Sequence, residues 1–120
     1  MISFITVTLC VLSTCCIQLS LCLVPRYVKR GCYRDRPHRA IARMVANFPG
    51  DRFAVAKCAF LTKLRGYRAF GVQYNGQCFT AYNAHVTYNK YGPSGKCAPT
   101  GRGGTWANEV YFLSEYYVYR

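Results

Sequence analysis

Apolar residues crowd the first 25 positions, and the pattern then changes rhythm. Met1 to Leu21 is broken only by Ser, Thr and Gln, and no charged side chain precedes residue 26. Further on, Tyr27 to Tyr33 reads as a short strand, and Arg34 to Arg39 as a charged loop containing Pro37. Ile41 to Phe48 fits neither period clearly and ends at the turn signal Pro49-Gly50. Asp51 has the character of a helix N-cap. Phe53, Ala56, Phe60 and Leu64 follow it at helical spacing, with Cys58 and Leu61 nearby. Lys63 and Arg65 suit a helix C-terminus, and Gly66 is a stop. The pattern therefore predicts a helix over 52–65, with Cys58 placed to staple it to a sheet. Phe70, Val72 and Tyr74 alternate with Ala69, Gly71 and Gln73, a strand signature. Asn75-Gly76 is a strong hairpin signal, and Gln77 to Tyr82 reads as the return strand. A long connection, 83–105, leads to a closing strand from Trp106 to Leu113. The tail from Glu115 to Arg120 either extends that strand or hangs free. The fold class expected is α+β: a small module with one helix packed on a short antiparallel sheet.

The uncharged start changes the picture most. Residues 1–22 read as a secretory signal peptide, cut between Cys22 and Leu23, although the usual basic start is missing. A retained anchor would hold Arg26, Lys29 and Arg30, and the cysteines behind them, in a reducing cytosol. Residues 23–120 form a single domain with a short Tyr-rich tail, and the protein is expected to be secreted and extracellular. Four of the eight cysteines leave with the signal. Cys32, Cys58, Cys78 and Cys97 remain, spaced 26, 20 and 19 apart. An even count in an oxidising compartment implies two disulfides, and four cysteines can pair in three ways. Zinc is not expected, because no close ligand pair follows residue 22.

Charge comes next. Sixteen Lys and Arg against four Asp and Glu give a net charge of +12. Seven of the sixteen lie between residues 26 and 43, including Arg34, Arg36 and Arg39. That exceeds what solubility requires. Outside a cell, sulfated or acidic glycans and anionic membrane surfaces are the matching partners, and Arg forks suit sulfate and carboxylate groups. Nucleic acid would bind by the same electrostatics, but the compartment makes that incidental. The chain's eleven tyrosines and one tryptophan supply faces on which sugar rings stack. Candidate ligand contacts are Gln73, Tyr74, Phe79, Tyr82, Asn83, Tyr88, Tyr91, Trp106 and Asn108, together with the three arginines; for Trp106 a place in the core is favoured over binding.

Catalysis is not expected. His38, His85, Ser94 and Ser114 lack the partners of an acid–base pair or a nucleophile, and Gly-Pro-Ser-Gly at 92–95 is not a nucleophile elbow. Gly101-Arg102-Gly103-Gly104 lacks the Lys-Ser/Thr of a P-loop, so it reads as a plain loop, and no cofactor is implied.

Several short motifs fall into a familiar order. Gly31-Cys32-Tyr33, Asp35 and Arg39-Ala40-Ile41 open it. Phe70-Gly71-Val72-Gln73 leads to Gly76-Gln77-Cys78-Phe79, then to Lys90-Tyr91-Gly92 and Cys97. Gly103-Gly104, Trp106-Ala107-Asn108 and Val110-Tyr111 close it. The arrangement resembles the WSC domain, and more closely the short WSC-like modules of invertebrate extracellular proteins, over residues 27–113. Fewer cysteines survive the expected cut than is typical of that family, and Phe79 stands where the short form often has Trp. The resemblance implies a disulfide-stapled α+β module of PAN/apple style that binds carbohydrate. The topology so implied favours Cys58–Cys78, helix to hairpin, which leaves Cys32–Cys97.

The expected function is thus a secreted, non-catalytic cationic module that binds acidic or sulfated carbohydrate. Two alternatives share its charge and address: a cationic defence peptide or toxin acting on membranes, and a structural component of an extracellular matrix.

Overall fold

The computed structural model describes residues 25–114. The expected signal peptide and the tail beyond Ser114 lie outside the described residues. The elements are β1 (Tyr27–Arg34), β2 (Arg43–Asn47), α1 (Ala54–Leu64), β3 (Ala69–Gln73), β4 (Gln77–Thr80), a one-turn helix α2 (Ala84–Thr87) and β5 (Ala107–Leu113). The strands make one five-stranded sheet in the order β1-β5-β3-β4-β2, antiparallel at every pairing. This is the α+β, disulfide-stapled module the pattern predicts. The ambiguous stretch 41–48 resolves into the edge strand β2, and α2 falls inside the connection read as irregular.

Both faces of the central strands are covered, so β3 is buried at all five positions and loses its polar alternation. Strand geometry sends alternate residues to opposite faces. Phe70, Val72, Cys78, Tyr111 and Leu113 meet Cys58 and Ala59 of α1 on one face. Ala69, Phe79 and Val110 meet Ile41, Ala81 and Ala84 on the other, with Tyr33, Tyr88 and Phe112 at the margin. Residues 92–94 run beside β1, where Arg34 N–H donates to the Gly92 carbonyl at 2.9 Å and Ser94 N–H to the Cys32 carbonyl at 3.0 Å. Those bonds occupy part of an otherwise open sheet edge.

Helix α1 starts later than expected and buries a different face. Asp51 caps the turn that leads in: its Oδ1 accepts from Phe53 N–H at 2.7 Å, and its carbonyl from Ala54 N–H at 3.0 Å. Gly66 (φ +74°) ends the helix, with Gly66 N–H on the Lys63 carbonyl and Tyr67 N–H on the Thr62 carbonyl, a Schellman motif. The buried residues are Ala54, Cys58, Ala59 and Thr62. Phe53 and Leu64, which led the expected stripe, are 54% and 64% exposed. The Cys58–Cys78 bond explains the difference. Its Cα atoms are 5.5 Å apart, so the helix lies against β4 and only small side chains fit between them. The second bond is Cys32–Cys97, with a sequence separation of 65. Both expected pairs are present, and each closed loop contributes ~3–4 kcal/mol in the chain-entropy account.

The β3–β4 turn sits one residue earlier than the Asn-Gly signal suggests. Tyr74 (φ 54°) and Asn75 (φ 65°) are its left-handed central pair, so Tyr74 belongs to the turn and not to the strand. Gly76 is required by proximity. A Cβ there would lie 2.2 Å from the Phe48 carbonyl oxygen, while Phe48 N–H donates to the Gly76 carbonyl at 2.8 Å. At Gly66 nothing lies within 4 Å of a built Cβ. In urea unfolding, Gly66→Ala is expected to cost about 1–2 kcal/mol, the left-handed penalty alone. Gly76→Ala should cost more, about 3 kcal/mol, because β2 must also move. Equal losses would contradict the role given to the Phe48 approach.

Candidate functional site

The loop after β1 is wrapped around one carboxylate. The Asp35 side chain is fully buried. Its Oδ1 accepts from Arg36 N–H and Ala40 N–H, each at 2.9 Å. Its Oδ2 accepts from Arg39 Nη1 at 2.8 Å and from Gln73 Nε2 at 2.6 Å. The Asp35 N–H donates to the Trp106 carbonyl at 2.9 Å. An ionised carboxylate taken out of water needs this many donors. Burial pushes its pKa up and is the largest single effect, but the bonds from Ala40, Arg39, Gln73 and Arg36 outweigh it and hold the carboxyl below the usual aspartate value.

Arg39 is held on a second side by aromatic rings. Its guanidinium carbon lies 4.6 Å from the Trp106 ring centre and 4.9 Å from that of Phe79, within cation–π range. Its side chain remains 33% exposed. It opens into a depression of about 220 Å³ lined by Arg39, Gln73, Tyr74, Gln77, Thr105 and Trp106. Two of these are exposed aromatics on left-handed backbone, Tyr74 (φ 54°) and Trp106 (φ 53°). Bulky residues rarely adopt that conformation, which costs on the order of 1–3 kcal/mol and concentrates at functional sites. Among the described residues Asn75, next to Tyr74 in the same turn, is the one other non-glycine residue with positive φ.

Of the residues expected to bind, Arg39, Gln73 and Tyr74 come together here. Arg34 lies exposed at the end of β1. Arg36 stacks 4.9 Å from the Tyr91 ring centre, and the Tyr91 hydroxyl donates to the His38 carbonyl. Tyr82 is 74% exposed and lines neither this depression nor the one beside it. Tyr88 is held edge-on between Tyr33 and Phe112, and Asn83 opens α2. Phe79 and Asn108 are corrected: both are buried and offer a ligand no surface. Phe79 serves the site from beneath, through Arg39. Asn108 fills the space above Gly71, where a Cβ would lie 2.9 Å from its Cγ, and its side-chain amide has no hydrogen-bond partner among the described residues. Trp106 is corrected in the opposite direction, since the residue is 44% exposed.

Asp35, Gln77 and Thr105 were not named as site residues. An acid in a run of arginines was the available signal for Asp35; neither of the other two carries one. The 101–104 loop offers no free anion cradle, because the N–H groups of Gly101, Arg102 and Gly104 donate to Ala98, Thr100 and Ala107. Burial and the charge of Arg68 lower the His85 pKa, and its Nδ1 has no hydrogen-bond partner among the described residues. Among the described residues no group of three His, Cys, Asp or Glu is placed to hold a metal. No helix among them is long and apolar enough to cross a membrane. No family model, curated protein or solved structure matches the chain.

The depressed carboxyl gives a signed pH dependence. Its folded pKa lies below the unfolded value of about 3.9. Its contribution is therefore complete above that value and is lost as the pH falls through the folded pKa. Asp35→Asn should lower stability at pH 7 by about 1–3 kcal/mol and flatten the acid limb of stability against pH. Parallel acid limbs for the variant and the native protein would show that Asp35 is not the group responsible.

Proposed function

We propose that this protein is a secreted, non-catalytic binding module for acidic or sulfated carbohydrate, and that the depression at Arg39 is where it binds. One observation carries the reading: a guanidinium fixed by a buried carboxylate and two aromatic rings, yet open to a polar cleft. Nη1 is engaged by Asp35, so the remaining N–H groups are preordered for a carboxylate or sulfate. Gln73 is buried and spends its amide nitrogen on Asp35, so it backs the cleft and fixes the carboxylate that holds Arg39. Gln77 and Thr105 add further polar groups, and Trp106 and Tyr74 offer faces for C–H stacking. The net charge of +12 would draw such polyanions to the surface before this site selects among them. Two disulfides fit an oxidising compartment. The resemblance to WSC-like modules points to the same ligand class.

Binding to acidic glycans on an array should persist at physiological salt. Arg39→Lys should weaken it by about tenfold or more, since Lys is neither planar nor bidentate. The double variant Arg34→Ala/Arg36→Ala should mainly reduce the salt-dependent part. Retention of full affinity in Arg39→Lys would remove the site from this depression. Loss of all binding at physiological salt would leave only nonspecific attraction.

A further inference from the structure

The depression at Arg39 adjoins a second one of about 430 Å³, with which it shares Tyr74 and Thr105. Alone, the first falls below the roughly 300–1,000 Å³ of ordinary ligand pockets, whereas the two together fall within it. We infer that they form one groove, and that its ligand is a glycan chain in which an acidic unit lies beside a neutral one. The acidic unit sits at Arg39 and the neutral unit beyond Tyr74. This rests on the carbohydrate reading above.

The chemistry of the two halves differs. Among the described residues no charged one lines the second, which presents Asn75, Thr100, Thr105 and the backbone of Gly103 and Gly104. Its polar groups are already oriented. Arg102 Nε donates to Asn75 Oδ1 at 2.7 Å, leaving the Asn75 amide nitrogen to donate. Arg102 N–H donates to Thr100 Oγ1 at 3.2 Å, leaving that hydroxyl hydrogen available. The walls are tied together as well. Tyr74 N–H donates to the Gly104 carbonyl at 3.2 Å and Asn75 N–H to the Arg102 carbonyl at 3.1 Å, so the groove exists before a ligand arrives. Tyr74 stands at the junction, 62% exposed. Glycine would hold its φ of 54° without strain. A tyrosine there accepts the strain and in return offers a ring to both halves.

The test is calorimetry at physiological salt with three probes. These are free glucuronic acid, a tetrasaccharide alternating glucuronic acid with N-acetylglucosamine, and a tetragalacturonate acidic at every unit. The readout is affinity relative to the free acid. The alternating chain should gain about tenfold or more, and the all-acidic chain markedly less. Ala98→Trp, which fills the second depression, and Tyr74→Gly should each erase the gain. Tyr74→Phe should keep it, and thermal melts would confirm that all three variants fold. Equal affinity for all three probes, abolished by Arg39→Ala, would overturn the extended groove while leaving the carbohydrate site intact. An equal gain for the all-acidic chain would overturn the neutral unit. No binding of any probe would overturn the carbohydrate reading itself.

Discussion

A buried carboxylate must have its lone pairs filled, and in this protein four donors from separate places do so. The Asp35 side chain gathers the backbone of its own loop, the Arg39 guanidinium and the Gln73 amide from β3. Its own N–H reaches the Trp106 carbonyl at the entrance to β5. One residue therefore joins the end of β1 to β3 through its carboxylate and to the start of β5 through its backbone N–H. The same carboxylate holds one end of the Arg39 guanidinium, and the Trp106 and Phe79 rings hold it on the other side.

The rest of the architecture protects that arrangement. Cys32–Cys97 ties β1 to the long connection, and Cys58–Cys78 ties the helix to β4. The helix side of the sheet carries the tight packing of small residues and a buried tyrosine hydroxyl. Tyr111 donates to the Gly101 carbonyl at 2.7 Å, and burial, with smaller effects from Glu109 and Tyr27, raises its pKa beyond the ordinary tyrosine range. The opposite side carries the Asp35 loop, α2 and the arginine–aromatic stacks. Among the described residues, left-handed backbone outside glycine is confined to the turn at Tyr74–Asn75 and to Trp106. A module with a rigid, disulfide-closed frame can tolerate that cost at its rim.

Much of this fold was legible in the sequence where local chemistry decides structure. Gly66, the β3–β4 hairpin, the closing strand and the even cysteine count each act through nearest neighbours or chain closure. Other features are decided by tertiary contacts. The helix stripe was misread because Phe53 and Leu64 outrank Ala54 and Ala59 in hydrophobicity, whereas a disulfide with Cα atoms 5.5 Å apart selects by size. Trp106 was assigned to the core by type, yet its ring stacks outside it on Arg39. Asn108 looked like a surface amide, but the missing side chain of Gly71 makes room for it inside. Arg39, Gln73 and Tyr74 were named as separate candidates. What unites Arg39 and Gln73 is the Asp35 carboxylate, whose farthest side-chain partner lies 38 residues away in the chain, and Tyr74 follows Gln73 directly in the β3–β4 turn.

The central claim is that a prearranged cleft at Arg39, and not the diffuse positive surface, does the recognising. The most direct measurement is a backbone and side-chain NMR titration of the oxidised protein with an acidic oligosaccharide at physiological salt. The account predicts saturable shifts at Gln73, Tyr74, Gln77, Thr105 and the Trp106 indole, with the Arg39 Nε–H among the largest. Shifts scattered along Arg26, Arg34, Arg43 and the other exposed cations, disappearing as salt rises, would contradict it.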